Sequence, residues 1–142
     1  MPRLVAIDTG PVVGLFSRDD VNHAAALQFF REFRDHGFIT VPVITEVMHL
    51  LSFRVDAQLD FLRWLRQGAL AVFDLTSPDW ERIVFLTWKY ADVPMDFGDS
   101  SLVAICERVS TRFVATVDSD FNTYRVQGRH RFHNLFLDYA FQ

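Results

Sequence analysis

The chain has 142 residues, half of them hydrophobic and 23% charged, with a formal net charge of −4. Such a composition suits one globular domain with a genuine core, leaves little room for a second, and excludes a nucleic-acid binder that works by bulk positive charge. The lone cysteine, Cys106, excludes an intramolecular disulfide and a multi-cysteine zinc site, and the brief apolar opening is too short for a signal-peptide core or a membrane span, so the expected setting is the reducing cytoplasm with no membrane partner.

Residues Leu4–Ile7 read as a buried strand, and Asp8-Thr9-Gly10-Pro11 as the break that ends it. A helix is expected from about Val21 to His36, with Ala26, Phe29, Phe30 and Phe33 on one face and Gly37 as its stop. Phe38–Val41 reads as a second strand closed by Pro42. Val43 to about Phe53 is helical in pattern, with Ile44, Val47, Met48 and Leu51 on one face. A further helix opens at Asp56 and runs through Leu59, Leu62 and Leu65 to Gly68. Ala69–Leu75 is the third expected strand. Ser77-Pro78 starts a helix that reaches about Tyr90, with proline in the tolerated first turn.

After a loop at 92–98, a helix is expected from Asp99 to Val109 with Leu102, Ile105, Cys106 and Val109 buried. Arg112–Val117 is a fourth strand ending at Asp118, and Phe132–Phe136 a fifth. Nearly all-apolar strands alternating with helices predict a parallel sheet of about five strands covered on both faces, a three-layer α/β/α domain.

Ligands of open parallel sheets sit beyond the carboxyl ends of the strands. Asp8 and Asp118 directly follow strands one and four, and Glu46 and Asp99 are expected in the first turns of helices. Singly, each acid has a plain alternative: a turn-forming Asp, a helix N-cap, a Glu complementing a helix dipole. Four carboxylates at one sheet edge would repel one another and raise their pKa values unless cations lay between them. Oxygen ligands without His or Cys suit Mg²⁺ or Mn²⁺, and such a centre suits phosphodiester hydrolysis. No Ser/His/Asp ordering or Walker-type phosphate loop competes.

These motifs resemble those of PIN-domain ribonucleases, most closely the VapC-type toxins. Val5-Ala6-Ile7-Asp8-Thr9-Gly10 resembles the first family motif, Ile44-Thr45-Glu46-Val47 the second, Met95 to Ala104 around Asp99 the third, and Ala115-Thr116-Val117-Asp118-Ser119-Asp120-Phe121 the fourth. The resemblance covers nearly the whole chain and implies one PIN domain over residues 1–142. It implies a metal-dependent endoribonuclease, the toxin of a type II toxin–antitoxin pair, with Mg²⁺ or Mn²⁺ held by Asp8, Glu46, Asp99 and Asp118. Thr9 and Thr116 would support the site, and Asp96 and Asp120 would stand beside it as extra ligands or neighbours. It also implies an RNA substrate, a cognate antitoxin and a homodimer. The alternatives are a structure-specific DNA nuclease and a catalytically silent PIN module acting as a binding partner. A haloacid-dehalogenase-type phosphatase would need an Asp two residues after Asp8, where Gly10 stands.

Outside the motifs, Arg125, Arg129, His130, Arg131 and His133 form a basic cluster, either a grip on phosphates or antitoxin or a solvated loop. The 15 phenylalanines are read as packing bulk, and Trp64, Trp80 and Trp88 as core or dimer surface, rather than as base-stacking platforms.

Overall fold

The computed structural model describes residues 1–140. The first half runs β1 (Leu4–Ile7), α1 (Thr9–Phe16), α2 (His23–Glu32), β2 (His36–Ile39), α3 (Val41–Leu50), α4 (Val55–Arg66) and β3 (Ala71–Val72). The second runs α5 (Ser77–Lys89), α6 (Phe97–Arg108), β4 (Phe113–Ala115), a 3-10 turn (Ser119–Asn122), β5 (Arg125–Val126), β6 (His130–Arg131), β7 (His133–Asn134) and α7 (Leu137–Ala140).

Five strands form one parallel sheet in the order β3-β2-β1-β4-β7. Successive strand residues point to opposite faces. Val5, Ala6 and Ile7 of central β1 are all fully buried, so both faces of the sheet are covered by helices. This is the expected three-layer α/β/α architecture. The chain lays β2 and β3 on one side of β1, then crosses to place β4 and β7 on the other. The carboxyl ends of β1 and β4 therefore meet where the strand order reverses, the usual ligand crevice of such sheets.

Several boundaries differ from the sequence expectation for local reasons. The expected break at Asp8–Pro11 is the start of α1, because Pro11 falls in its first turn, where a missing N–H removes no helical hydrogen bond. Pro42 likewise opens α3, and the second strand ends at Ile39. Helix α2 stops at Glu32, and Gly37 lies inside β2 beside Val5. A Cβ on Gly37 would stand 2.5 Å from Leu70 Cδ2 and 3.2 Å from Ile7 Cγ1, so this glycine makes room and does not end a helix. Gly68 does end its helix, at φ +86°.

The apolar face of α4 is Ala57 and Phe61, while Leu59 and Leu62 are exposed. Phe61 and Trp64 both meet Phe16 edge-to-face, and these contacts select the face that turns inward. The third and fifth strands shrink to two residues each at the sheet edges. Arg125, Arg129, His130 and Arg131 of the basic cluster form a small antiparallel hairpin, β5–β6, turned by Gln127 and Gly128, both at positive φ, while His133 lies in β7 of the main sheet.

Candidate active site

Asp8 is held at the end of β1 because its amide donates to the Ala115 carbonyl (3.0 Å), extending the β1–β4 ladder one residue past the strand. Its Oδ2 accepts from Thr116 Oγ1 at 2.7 Å. Thr116 is fully buried, and its Oγ1 in turn accepts from the Asp118 amide at 2.9 Å. One hydroxyl thus uses its proton on one acid and a lone pair to place the next. Asp118 Oδ1 accepts from the Asp120 amide at 2.9 Å, which opens the 3-10 turn.

Asp99 arrives from the other direction. Asp96, not Asp99, caps α6: its Oδ1 accepts from the Asp99 amide at 2.8 Å. The helix thereby starts two residues earlier than expected and buries Asp99. Asp99 Oδ2 accepts from the Tyr124 hydroxyl at 3.0 Å. Tyr124 is itself fully buried between Tyr90 and Phe121.

Glu46 lies in the second turn of α3, since the helix begins at Val41. Its Oε2 accepts from Thr9 Oγ1 at 3.2 Å, and Gly98 lets it approach α6: a Cβ there would stand 3.3 Å from Glu46 Oε2 and 3.4 Å from Asp96 Oδ1.

One oxygen from each of Asp8, Asp99 and Asp118 lies within 4.8 Å of the other two. Among the described residues this is the one such cluster of potential metal ligands, with Glu46, Asp96 and Asp120 beside it rather than in it. Burial, then Asp8, Asp96 and Asp118, push the Asp99 carboxyl up to about 8, with the Tyr124 hydrogen bond opposing them. Burial raises Asp8 to about 6, against the bonds from Thr116 and Thr9 and with Asp118 and Glu46 adding to the rise. Glu46 is raised by burial, Asp96 and Asp118, and eased by Thr9. The Tyr124 hydroxyl is also raised, by burial and by Asp99, so it remains a proton donor. An all-oxygen set this crowded, buried and short of positive charge fits a hard divalent cation, and no Arg, Lys or His takes that place in the hydrogen-bond and ion-pair pattern of the three acids.

Elsewhere, one NH of Arg125 donates to the carbonyls of Asn122, Thr123 and Tyr124, so it closes the 3-10 turn, while Arg129 and Arg131 are exposed on the hairpin. Cys106 is buried, with its thiol pushed up by burial, and is inert. Trp64 packs inside, whereas Trp80 and Trp88 are largely exposed. Tyr124 and Asn134 were not legible as site residues. Asn134 brackets Thr116, accepting from its amide at 3.2 Å and donating to its carbonyl at 2.9 Å. Tyr124 stands 25 residues and Asn134 18 residues from the groups they hold, and only the tertiary fold brings them there.

Residues 5–126 match the PIN domain family model, and the chain belongs to that family. Within it, the similarity is to VapC proteins: the chain is 29% identical over 129 residues to Ribonuclease VapC26 of Mycobacterium tuberculosis, covering 89% of this chain and 96% of that one. Among solved structures, Mycobacterium tuberculosis VapC20, described as a sarcin-ricin loop cleaving toxin, superposes with a TM-score of 0.75 at 17% identity, over 84% of this chain and 93% of that one. A toxin–antitoxin complex from Klebsiella pneumoniae gives 0.60 at 19% identity, over 82% and 89% of the two chains. VapBC2 from Rickettsia felis, bound to a DNA fragment from its promoter, gives 0.57 at 12% identity, over 84% and 92%. At these identities the solved structures show the shared fold.

Proposed function

We propose that this protein is a metal-dependent endoribonuclease, the toxin of a type II toxin–antitoxin pair acting in the cytoplasm. The observation that carries the reading is the convergence of Asp8, Asp99 and Asp118 at the strand-order reversal, in a chain whose family and curated relative are those of ribonucleases. Asp8, Asp99 and Asp118 would hold Mg²⁺ or Mn²⁺. Such an ion, when bound, makes hydroxide accessible near neutral pH and offsets charge on phosphate oxygens. Glu46, steadied by Thr9 and with its pKa raised by burial and by Asp96 and Asp118, would orient the attacking water or accept its proton. Asp96 acts as the α6 cap and Asp120 as a turn residue, each through a backbone amide. The exposed Arg129 and Arg131 lie on a hairpin whose Gln127 amide donates to Glu107 at the far end of α6 from Asp99, so any grip they have on phosphates lies outside the acidic cluster.

Two partner proposals accompany this. The antitoxin is supported by the toxin–antitoxin neighbours. The homodimer is supported by α5, where Trp80, Val84 and Trp88 follow one another at helical spacing and are 50%, 69% and 73% exposed, an apolar stripe that a second copy could cover, although Trp80 also stacks on Phe97 of its own chain.

The direct test is RNA cleavage by purified protein in Mg²⁺ or Mn²⁺. Wild type should cut, and Asp99→Asn should lose at least about 10³-fold in rate while staying folded. Full activity in Asp99→Asn sinks the site. Expression without the antitoxin should arrest growth of a bacterial host, and harmless soluble expression at high level would overturn the toxin reading.

A further inference from the structure

Each of the three converging carboxylates has an oxygen engaged by a close protein donor, and Asp8 is eased further by the Thr9 amide. Asp8 Oδ2 is bound by the Thr116 hydroxyl at 2.7 Å, Asp118 Oδ1 by the Asp120 amide at 2.9 Å, and Asp99 Oδ2 by the Tyr124 hydroxyl at 3.0 Å. The first two donors lie in the fourth motif, Asp120 beside Asp118 in sequence and Thr116 across the β1–β4 pairing from Asp8. The third does not: Tyr124 reaches back 25 residues to Asp99 from the far end of the 3-10 turn. That turn therefore supplies one acid of the cluster, Asp118, at its start and holds another, Asp99, just past its end.

A carboxylate with one oxygen in a hydrogen bond is biased to offer a cation the other oxygen alone. Small divalent ions such as Mg²⁺, and Mn²⁺ with similar preferences, accept few single-oxygen carboxylate ligands and keep waters in an octahedral shell. Ca²⁺ takes more oxygens and often grips a carboxylate through both. Partners behind the ligands commonly tune affinity by 10–100-fold. We propose that Tyr124 is a positioning residue that, by engaging Asp99 Oδ2, completes a set of three single-oxygen carboxylates and so makes the centre discriminate against Ca²⁺.

The geometry around Tyr124 fits a fixed donor. Its ring is fully buried and boxed edge-on by Tyr90 at 5.1 Å and Phe121 at 5.1 Å between centroids. Tyr90 is tied to the same segment, its hydroxyl accepting from the Arg125 amide at 3.2 Å, and the Arg125 guanidinium bonds the Tyr124 carbonyl at 2.9 Å. The hydroxyl has no freedom to leave Asp99 without moving this box. The proposal rests on the metal-site reading above, and the experiment separates the two.

Binding of Mn²⁺ alone and Ca²⁺ alone to the full-length protein, measured by calorimetry without RNA, gives an affinity ratio. Wild type should favour Mn²⁺, and Tyr124→Phe, which frees Asp99 Oδ2, should shrink that ratio by about 10-fold or more, chiefly through better Ca²⁺ binding and weaker Mn²⁺ binding. Tyr90→Phe, which keeps the ring and leaves the Asp99 contact in place, should hold the wild-type ratio. A purely structural role for Tyr124 predicts a lower melting temperature with the ratio unchanged, and that result overturns the proposal while leaving the metal site standing. If wild type binds neither ion, the metal-site reading fails and this proposal with it. Should Tyr124→Phe not fold, Thr116→Val, which frees Asp8 Oδ2 and also releases the Asp118 amide, asks the same question of the second hydroxyl. An unchanged ratio there overturns the single-oxygen argument.

Discussion

Asp99 concentrates the electrostatic strain of the molecule. Its carboxyl is raised from 3.8 to about 8 in the folded chain, and that of Asp8 to about 6. An acid with a raised folded pKa holds its proton better folded than unfolded. Its stabilising contribution is complete below about 3.8 and is lost as pH rises through about 6 for Asp8 and about 8 for Asp99. The metal-free protein should therefore melt at progressively lower temperature between about pH 5 and about pH 8.5, measured by calorimetry. Asp99→Asn should flatten that slope and raise the melting temperature at the alkaline end, by roughly 1–2 kcal/mol of stability, even as it removes activity. A steeper slope in the variant would contradict the assignment. The three acids differ in how they could be recognised beforehand. Asp8 and Asp118 stand at strand ends, where parallel sheets place ligands. Asp99 was marked by its place in the first turn of a helix as well as by the motif resemblance, on which Glu46 rested more, and the plain alternative for Asp99, the N-cap, is the role of Asp96.

Among the elements, α5 and α6 show how packing supports the site from outside. Asp79 Oδ2 accepts from both the amide and the hydroxyl of Thr76, at 2.8 Å and 2.9 Å, fastening the start of α5. The same buried carboxylate accepts from Arg108 of α6 at 3.1 Å, and Arg82 of α5 grips Glu107 of α6 at 2.6 Å. Thr76→Ala should cost about 1 kcal/mol, the usual value of a lost helix cap. Asp79→Ala should cost more, roughly 1–2 kcal/mol, because it also removes the ion pair with Arg108, whose partly exposed guanidinium keeps its bond to the Asp74 carbonyl. Chemical denaturation gives both numbers, and equal losses would argue that the Asp79–Arg108 pair contributes little. In β2, Gly37→Ala should destabilise by about 1–3 kcal/mol, since the new methyl meets Leu70, Ile7 and Phe33 on a closed interior face. These effects should leave the metal affinity of the folded protein intact.

For the whole molecule, metal binding and self-association are the measurable properties. A cation bound by the native state alone adds stability by mass action. Because protons compete for the same carboxylates, millimolar Mg²⁺ or Mn²⁺ should raise the melting temperature more at about pH 8 than at about pH 5.5. An equal shift at both would point to binding elsewhere. If the α5 stripe is the dimer face, Val84→Glu should convert a dimer to a monomer in sedimentation experiments without unfolding it, since Val84 is 69% exposed in the single chain. No helix among the described residues is long and apolar enough to cross a membrane.

The strand–helix alternation, the parallel sheet and the positions of Asp8 and Asp118 were legible in the residues themselves, because apolar periodicity and strand-end position are local properties. Element ends were less so. Pro11 and Pro42 read equally well as breakers or as first-turn residues, and the choice depends on what packs next. The apolar residues of α4 lie on two sides, and only the neighbouring Phe16 decides that Phe61 turns in and Leu59 and Leu62 stay out. The convergence of the three acids, the Glu46 contact with Thr9 and the Tyr124 bond to Asp99 join residues 19 to 110 positions apart. The sequence by itself determined which acids exist and on which kind of element they sit. The tertiary fold decided which of them meet, because the strand order brings Asp8 to Asp118 and the packing of α3 and α6 against the sheet brings Glu46 and Asp99 to them, none of which is set by spacing along the chain.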